Sequence, residues 1–227
     1  MHLVIANKLY SSWSMRPWLV LRAFDIAFEE TVIALRQPDT SERIRRFSPS
    51  GKGPVLIDGE AVVWESLAII EHLAESFPEK AIWPRDRVAR AHARAIASEM
   101  HAGFQALRQA CPMNLGKRFA TPELSADTVG AIARVEELWH ETRRRFGAAG
   151  PFLFGAFTAA DAMYAPVATR LETYSIDVAP ETRAYMDAVL SHPAFRAWRE
   201  AALAEPWRIA DYEAGFTPVE VYDRNPA

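Results

Sequence analysis

The stretch Gly53-Pro54-Val55-Leu56-Ile57-Asp58-Gly59, continued through Ala61-Val62-Val63-Trp64 to Glu65-Ser66, decides how the chain reads. A short apolar run begins at a proline, which a strand tolerates at its first residues because no ladder donor is lost there. Asp58-Gly59 separates Val55-Leu56-Ile57 from Ala61-Val62-Val63 and signals a hairpin. Beyond Glu65-Ser66, Leu67, Ile69, Ile70 and Leu73 recur at helical spacing. The free N–H groups and positive dipole end of such a helix start suit a carboxylate. Glu65 adds a partner for an ammonium. Together they describe a site for an α-amino-acid head group.

Working outward, residues 2–6 read as a buried strand. Residues 15–24 read as a helix with Ser14 as N-cap and Pro17 in its first turn. Residues 28–35 read as a second strand, and 36–47 as a polar loop with a short helix. The order βαβαββα over residues 1–77 predicts a thioredoxin-like α/β domain, a small mixed sheet with helices on both faces. Residues 78–85 read as a linker. From residue 86 to 227 strand patterns give way to helical ones, at 87–110, 123–146, 158–173, 181–190 and 194–202, which predicts an all-helical second domain. Thr158 with Asp161 three residues on, after Phe157, reads as a capping box with a hydrophobic-staple candidate. The tail from Pro206 carries Trp207, Tyr212, Phe216 and Tyr222, punctuated by Pro218 and Pro226. It is too aromatic for disorder and is expected to pack back on the body.

With 227 residues, half of them hydrophobic, the chain can bury a sizeable core. A net charge of -3 gives no reason to expect nucleic acid or an anionic membrane as partner. The single Cys111 excludes an internal disulfide framework and fits a reducing, cytoplasmic setting. The apolar start is too short for a signal peptide, and no run of about twenty apolar residues could span a membrane. The six histidines lack metal-ligand spacing, and no metal is expected. Nucleophile-elbow, phosphate-loop and dinucleotide fingerprints are missing. Arg143-Arg144-Arg145 reads as a solvated helix end.

The proline strand, the acid-serine helix start and the capping box together resemble the glutathione transferase family, over residues 3–203. The resemblance implies a cis Gly53-Pro54 bond and glutathione as co-substrate. In it the backbone of Gly53, Pro54 and Val55 takes the cysteinyl unit, Glu65 and Ser66 the γ-glutamyl end, and Lys52 the glycyl carboxylate. Gly53 departs from the family's usual aliphatic residue. The reactive position falls in Tyr10-Ser11-Ser12-Trp13-Ser14-Met15-Arg16. Ser11 and Ser14 stand at Cys-x-x-Cys spacing, but no thiol is present, so disulfide exchange by the protein is excluded there. Some classes place the catalytic residue five before the arginine, which selects Ser11; others use four, which selects Ser12. The run looks most like the zeta-type Ser-Ser-Cys-Ser-x-Arg pattern, with Trp13 in place of its cysteine. A second substrate is expected between the domains, against Met100, His101, Phe104, Gln105 and Arg108 with Trp13 opposite, although such a stripe also suits plain inter-domain packing.

The expected activity is transfer of glutathione to a small electrophile by a homodimeric, cytoplasmic enzyme. The alternatives are a glutathione-dependent cis-trans isomerase, resembling maleylacetoacetate isomerase, and a non-catalytic binding module of the same fold.

Overall fold

β1 (His2–Ala6) lies inside a four-stranded sheet of order β2-β1-β3-β4. It runs parallel to β2 (Glu29–Ile33) and antiparallel to β3 (Val55–Asp58), which pairs in turn with β4 (Ala61–Trp64) through the Asp58-Gly59 turn. The computed structural model describes residues 1–222; Pro226 of the tail lies outside the described residues. Side-chain alternation sets the two faces of the sheet. Leu3, Ile5 and Leu56 join the main core, whereas Val4, Ile33 and Val55 form a smaller cluster with Ile44. Ile44 belongs to α2 (Thr40–Arg45), the short helix expected in the polar loop. α1 (Ser12–Ala23) and α3 (Ser66–Ser76) bring Leu19, Ile69, Ile70 and Leu73 to the main core.

α1 begins earlier than the apolar pattern predicts. Its N-cap is Ser11, not Ser14, because the Ser11 hydroxyl accepts the Ser14 N–H at 3.3 Å. Pro17 consequently sits inside the helix rather than in its first turn.

The second half contains α4 (Arg87–Ala102), α5 (Gln105–Ala110), α6 (Ala126–Phe146), α7 (Ala159–Thr173), α8 (Pro180–Ser191) and α9 (Pro193–Leu203). All of α7 except Glu172 is buried, the pattern of a helix enclosed on every side. It packs on both α1 and α4, so the core runs continuously from the sheet through α7. The Asp161 carboxylate at its start accepts the Thr158 N–H at 2.8 Å, as the capping pattern predicts.

Two expectations for this half are corrected. The single helix expected over 87–110 is broken at Gly103-Phe104. A Cβ at Gly103 would lie 2.8 Å from the Glu99 carbonyl oxygen, and Phe104 takes a left-handed φ of 57°. The half is also not purely helical. β5 (Lys117–Phe119) pairs antiparallel with β6 (Pro218–Val221), strands too short for alternation to reveal. This pairing helps to fasten the tail, which packs back as expected. Glu213 accepts hydrogen bonds from the Tyr10 hydroxyl at 2.8 Å and from Asn114 at 3.1 Å, and it pairs with Lys117 at 2.5 Å. No helix among the described residues is long and apolar enough to cross a membrane.

Candidate functional site

The link from β1 to α1 is a buried turn organised by Asn7. Its carbonyl accepts the Tyr10 and Ser11 N–H groups at 3.3 and 2.9 Å, and its Oδ1 accepts the Leu35 N–H at 2.7 Å. The turn delivers Ser11 to the helix start. The Ser11 hydroxyl donates to Ser14 Oγ at 2.8 Å, and Ser14 Oγ also accepts the Ala6 N–H at 3.0 Å. A rotation about one side-chain bond would turn the Ser11 proton toward a ligand instead. Ser12, on the first turn, is engaged differently: its Oγ accepts from Arg170 Nη2 at 3.2 Å. Ser11 lines a cavity of about 540 Å³ together with Trp13, Arg36, Lys52, Gly53 and Tyr212; Ser12 does not line it.

The Gly53-Pro54 peptide bond is cis. Pro54 leads into β3, where Val55 pairs with Val4 on one side and Trp64 on the other. A Cβ at Gly53 would meet only the Val4 carbonyl oxygen, at 4.0 Å, so crowding does not require glycine here. Lys52 is exposed and forms no ion pair among the described residues.

The pairing of Val55 with Trp64 carries Glu65 and Ser66 across β3 from Pro54. Glu65 has φ 74° and ψ 131°, a conformation side chains seldom adopt, which costs about 1–3 kcal/mol. It forms the N-cap of α3, yet its side chain makes no capping bond and stays about half exposed. Ser66 is fully buried, and its Oγ has no partner among the described residues. Buried hydroxyls are nearly always bonded, so an unpartnered one at a helix start is suited to a ligand acceptor.

His101 Nε2 stands 3.8 Å from Glu65 Oε2, and the His101 ring meets the Trp13 ring edge-on at 5.3 Å. The Arg108 guanidinium reaches 5.2 Å from the centre of Trp13. The structure thus groups Trp13, His101 and Arg108. Phe104 is half-buried against the core. Met100 is corrected: it is fully buried in the core, because its place in the register of α4 puts it on the inward face with Ala93, Ile96 and Ala97. Arg170 and Tyr212 were missed. An arginine amid the alanines of 158–173 is the sequence signal that could have marked the first; nothing local marks Tyr212 over the other tail aromatics. Among the described residues no group of His, Cys, Asp or Glu could hold a metal ion.

Residues 10–76, which contain the serine turn, the cis-proline strand and the acid-serine helix start, match the glutathione S-transferase N-terminal domain. Over these residues the chain carries a glutathione S-transferase N-terminal domain. It is 27% identical over 197 residues to glutathione S-transferase 1 of Dianthus caryophyllus, covering 82% of this chain and 85% of that one. It is 34% identical over 103 residues to a probable maleylacetoacetate isomerase of Caenorhabditis elegans. That match takes in 44% of this chain and spans about half, 48%, of the relative. In fold it is similar to a glutathione transferase homologue from Burkholderia solved with bound glutathione, at TM-score 0.70 and 21% identity, covering 88% of this chain and 97% of the other.

Proposed function

We propose that this chain is a glutathione transferase in which Ser11 holds the co-substrate as its thiolate for attack on a small electrophile. The observation that carries the proposal is the placement of the Ser11 hydroxyl at the N-cap of α1, in one cavity with Gly53 and Lys52. The peptide lies along β3. Glu65 takes the ammonium and Ser66 the carboxylate of the γ-glutamyl end. The backbone at Gly53 and Val55 takes the cysteinyl unit, and Lys52 the glycyl carboxylate. The sulfur then lies at the start of α1.

The energetics suffice without a general base. A free thiol with a pKa of about 8.5 must fall by about two units to be mostly ionised near neutrality, or about 2.7 kcal/mol. A hydrogen bond to a charged group supplies roughly 1.5–3 kcal/mol. The helix N-terminus adds roughly 0.3–1 kcal/mol. The thiol proton passes to solvent. The thiolate forms the carbon–sulfur bond as the leaving group departs with its electron pair.

Trp13, His101, Phe104 and Arg108 form the acceptor wall. A homodimer fits the groove between α3 and α4, where Glu71 and Arg94 pair within the chain and Glu75 and Arg90, without an ion pair among the described residues, meet their opposites on a second copy. A reducing, cytoplasmic setting suits both glutathione and the lone Cys111. The isomerase relative favours a second reading, in which the same thiolate adds reversibly to a conjugated double bond; Trp13 in the cysteine position of the zeta pattern argues against it. The test is conjugation kinetics. Ser11→Ala should lower kcat/KM about 10- to 100-fold with glutathione affinity retained. Glutathione binding without any conjugation or isomerisation would instead favour a binding module.

A further inference from the structure

The guanidinium groups of Arg16, Arg108 and Arg170 gather around Trp13 and Ser12, and none forms an ion pair among the described residues. Elsewhere in the chain arginines meet carboxylates: Arg94 pairs with Glu71, Arg134 with Glu99 and Arg183 with Glu172. Here the partners are neutral. Arg170 donates to the Cys111 carbonyl at 2.9 Å, the Pro166 carbonyl at 3.2 Å and Ser12 Oγ at 3.2 Å. Arg16 donates to the Met163 carbonyl at 3.1 Å and the Ser12 carbonyl at 2.8 Å, and its buried Nη2 has no partner among the described residues. Arg108 is half-exposed. Carbonyl oxygens satisfy donors but do not cancel charge. Burial, followed by mutual repulsion, holds the Arg16 and Arg170 guanidiniums below their ordinary range. Uncompensated positive charge in a poorly solvated place is costly unless an anion arrives to meet it.

On the glutathione reading, both carboxylates of the co-substrate are met elsewhere, at Ser66 and at Lys52. The cluster therefore faces the other reactant. We infer that the acceptor substrate is a small planar electrophile bearing a carboxylate, bound by Arg108 with Trp13 as its flat wall. Arg108 is the half-exposed member of the cluster, with its guanidinium against Trp13, and Trp13 lines the same cavity as Ser11. Arg16 and Arg170 supply positive potential from beneath and do not touch the ligand. This inference rests on the proposed transferase function.

The test is calorimetric titration with a matched pair of unreactive probes, 3-nitrobenzoate and 3-nitrobenzamide, which differ in charge and little in shape. The wild type should bind the carboxylate about tenfold more tightly or better, the scale of one charge-assisted hydrogen bond. Arg108→Gln should abolish the preference, and Arg108→Lys should keep part of it. Glutathione, titrated separately into each variant, should bind as in the wild type. No preference in the wild type, or one that survives Arg108→Gln, overturns the inference. So does a variant in which only the ionisation of bound glutathione changes, since the cluster would then serve the thiolate. Failure of the wild type to bind glutathione sinks the transferase reading, a separate result from the probe pair.

Discussion

Asp161 concentrates more of the fold's polar bookkeeping than any site residue, which makes its removal a demanding test of the packing described. Its carboxylate is fully buried and accepts the Leu153 N–H at 3.0 Å, the Thr158 N–H at 2.8 Å, the Thr158 hydroxyl at 3.0 Å and the Tyr185 hydroxyl at 3.1 Å. Asp161→Ala strands two buried backbone donors, each costing about 1–3 kcal/mol. The hydroxyls can rotate and contribute less. The expected loss is about 4 kcal/mol, against a total stability of about 5–15 kcal/mol for an ordinary domain. Tyr185→Phe, which removes one donor and strands nothing else, should cost only about 1 kcal/mol. Urea unfolding followed by circular dichroism measures both, provided the dependence on urea stays unchanged. A loss below about 1 kcal/mol for Asp161→Ala would refute the assignment, because it would mean that the helix start finds other acceptors or stays wet.

The same carboxyl predicts a pH dependence. Burial pushes it from 3.8 up to about 6, although four donors pull the other way. The folded state then holds the proton more tightly than the unfolded one. Its contribution to stability is full below about pH 4, declines as pH rises to about 6, and amounts to about 3 kcal/mol. Asp161→Asn should remove that part of the stability–pH curve; a curve of the same shape in the variant would contradict the cause given. Glu65→Gln addresses the site instead. Its side chain is half exposed, so stability should change by less than about 0.5 kcal/mol, while glutathione affinity in calorimetry should fall about tenfold as the ammonium loses its charged partner.

The parts of the fold legible in the sequence are those specified by local chemistry. Asp58-Gly59 marks the hairpin because the turn needs positive φ, and Gly59 supplies it at 60°. Thr158 and Asp161 mark α7 because the cap is closed within four residues. What was not legible depends on distant contacts. The N-cap moved from Ser14 to Ser11 because Asn7 organises the preceding turn, and both serines are equally good caps on paper. The pairing of β5 with β6 joins residues about a hundred positions apart, in strands of three and four residues. At the site, Ser11, Trp13, Lys52 and Gly53 line one cavity, whereas Glu65, Ser66, His101, Phe104 and Arg108 do not line it. Met100 is buried on the core face of α4, since equal spacing in the sequence does not say which residues of the stripe face inward. Arg170 and Tyr212 reach the site from α7 and the tail, and no short-range pattern connects either residue to the serine turn.

The central claim is that Ser11 ionises the glutathione thiol. Ultraviolet difference titration of bound glutathione, in the wild type and in Ser11→Ala and Ser12→Ala, tests it most directly. The thiol pKa of bound glutathione should lie about two units below the free value in the wild type and in Ser12→Ala, and return close to the free value in Ser11→Ala. Bound glutathione that keeps its ordinary thiol pKa, or a depression lost in Ser12→Ala and kept in Ser11→Ala, would contradict it.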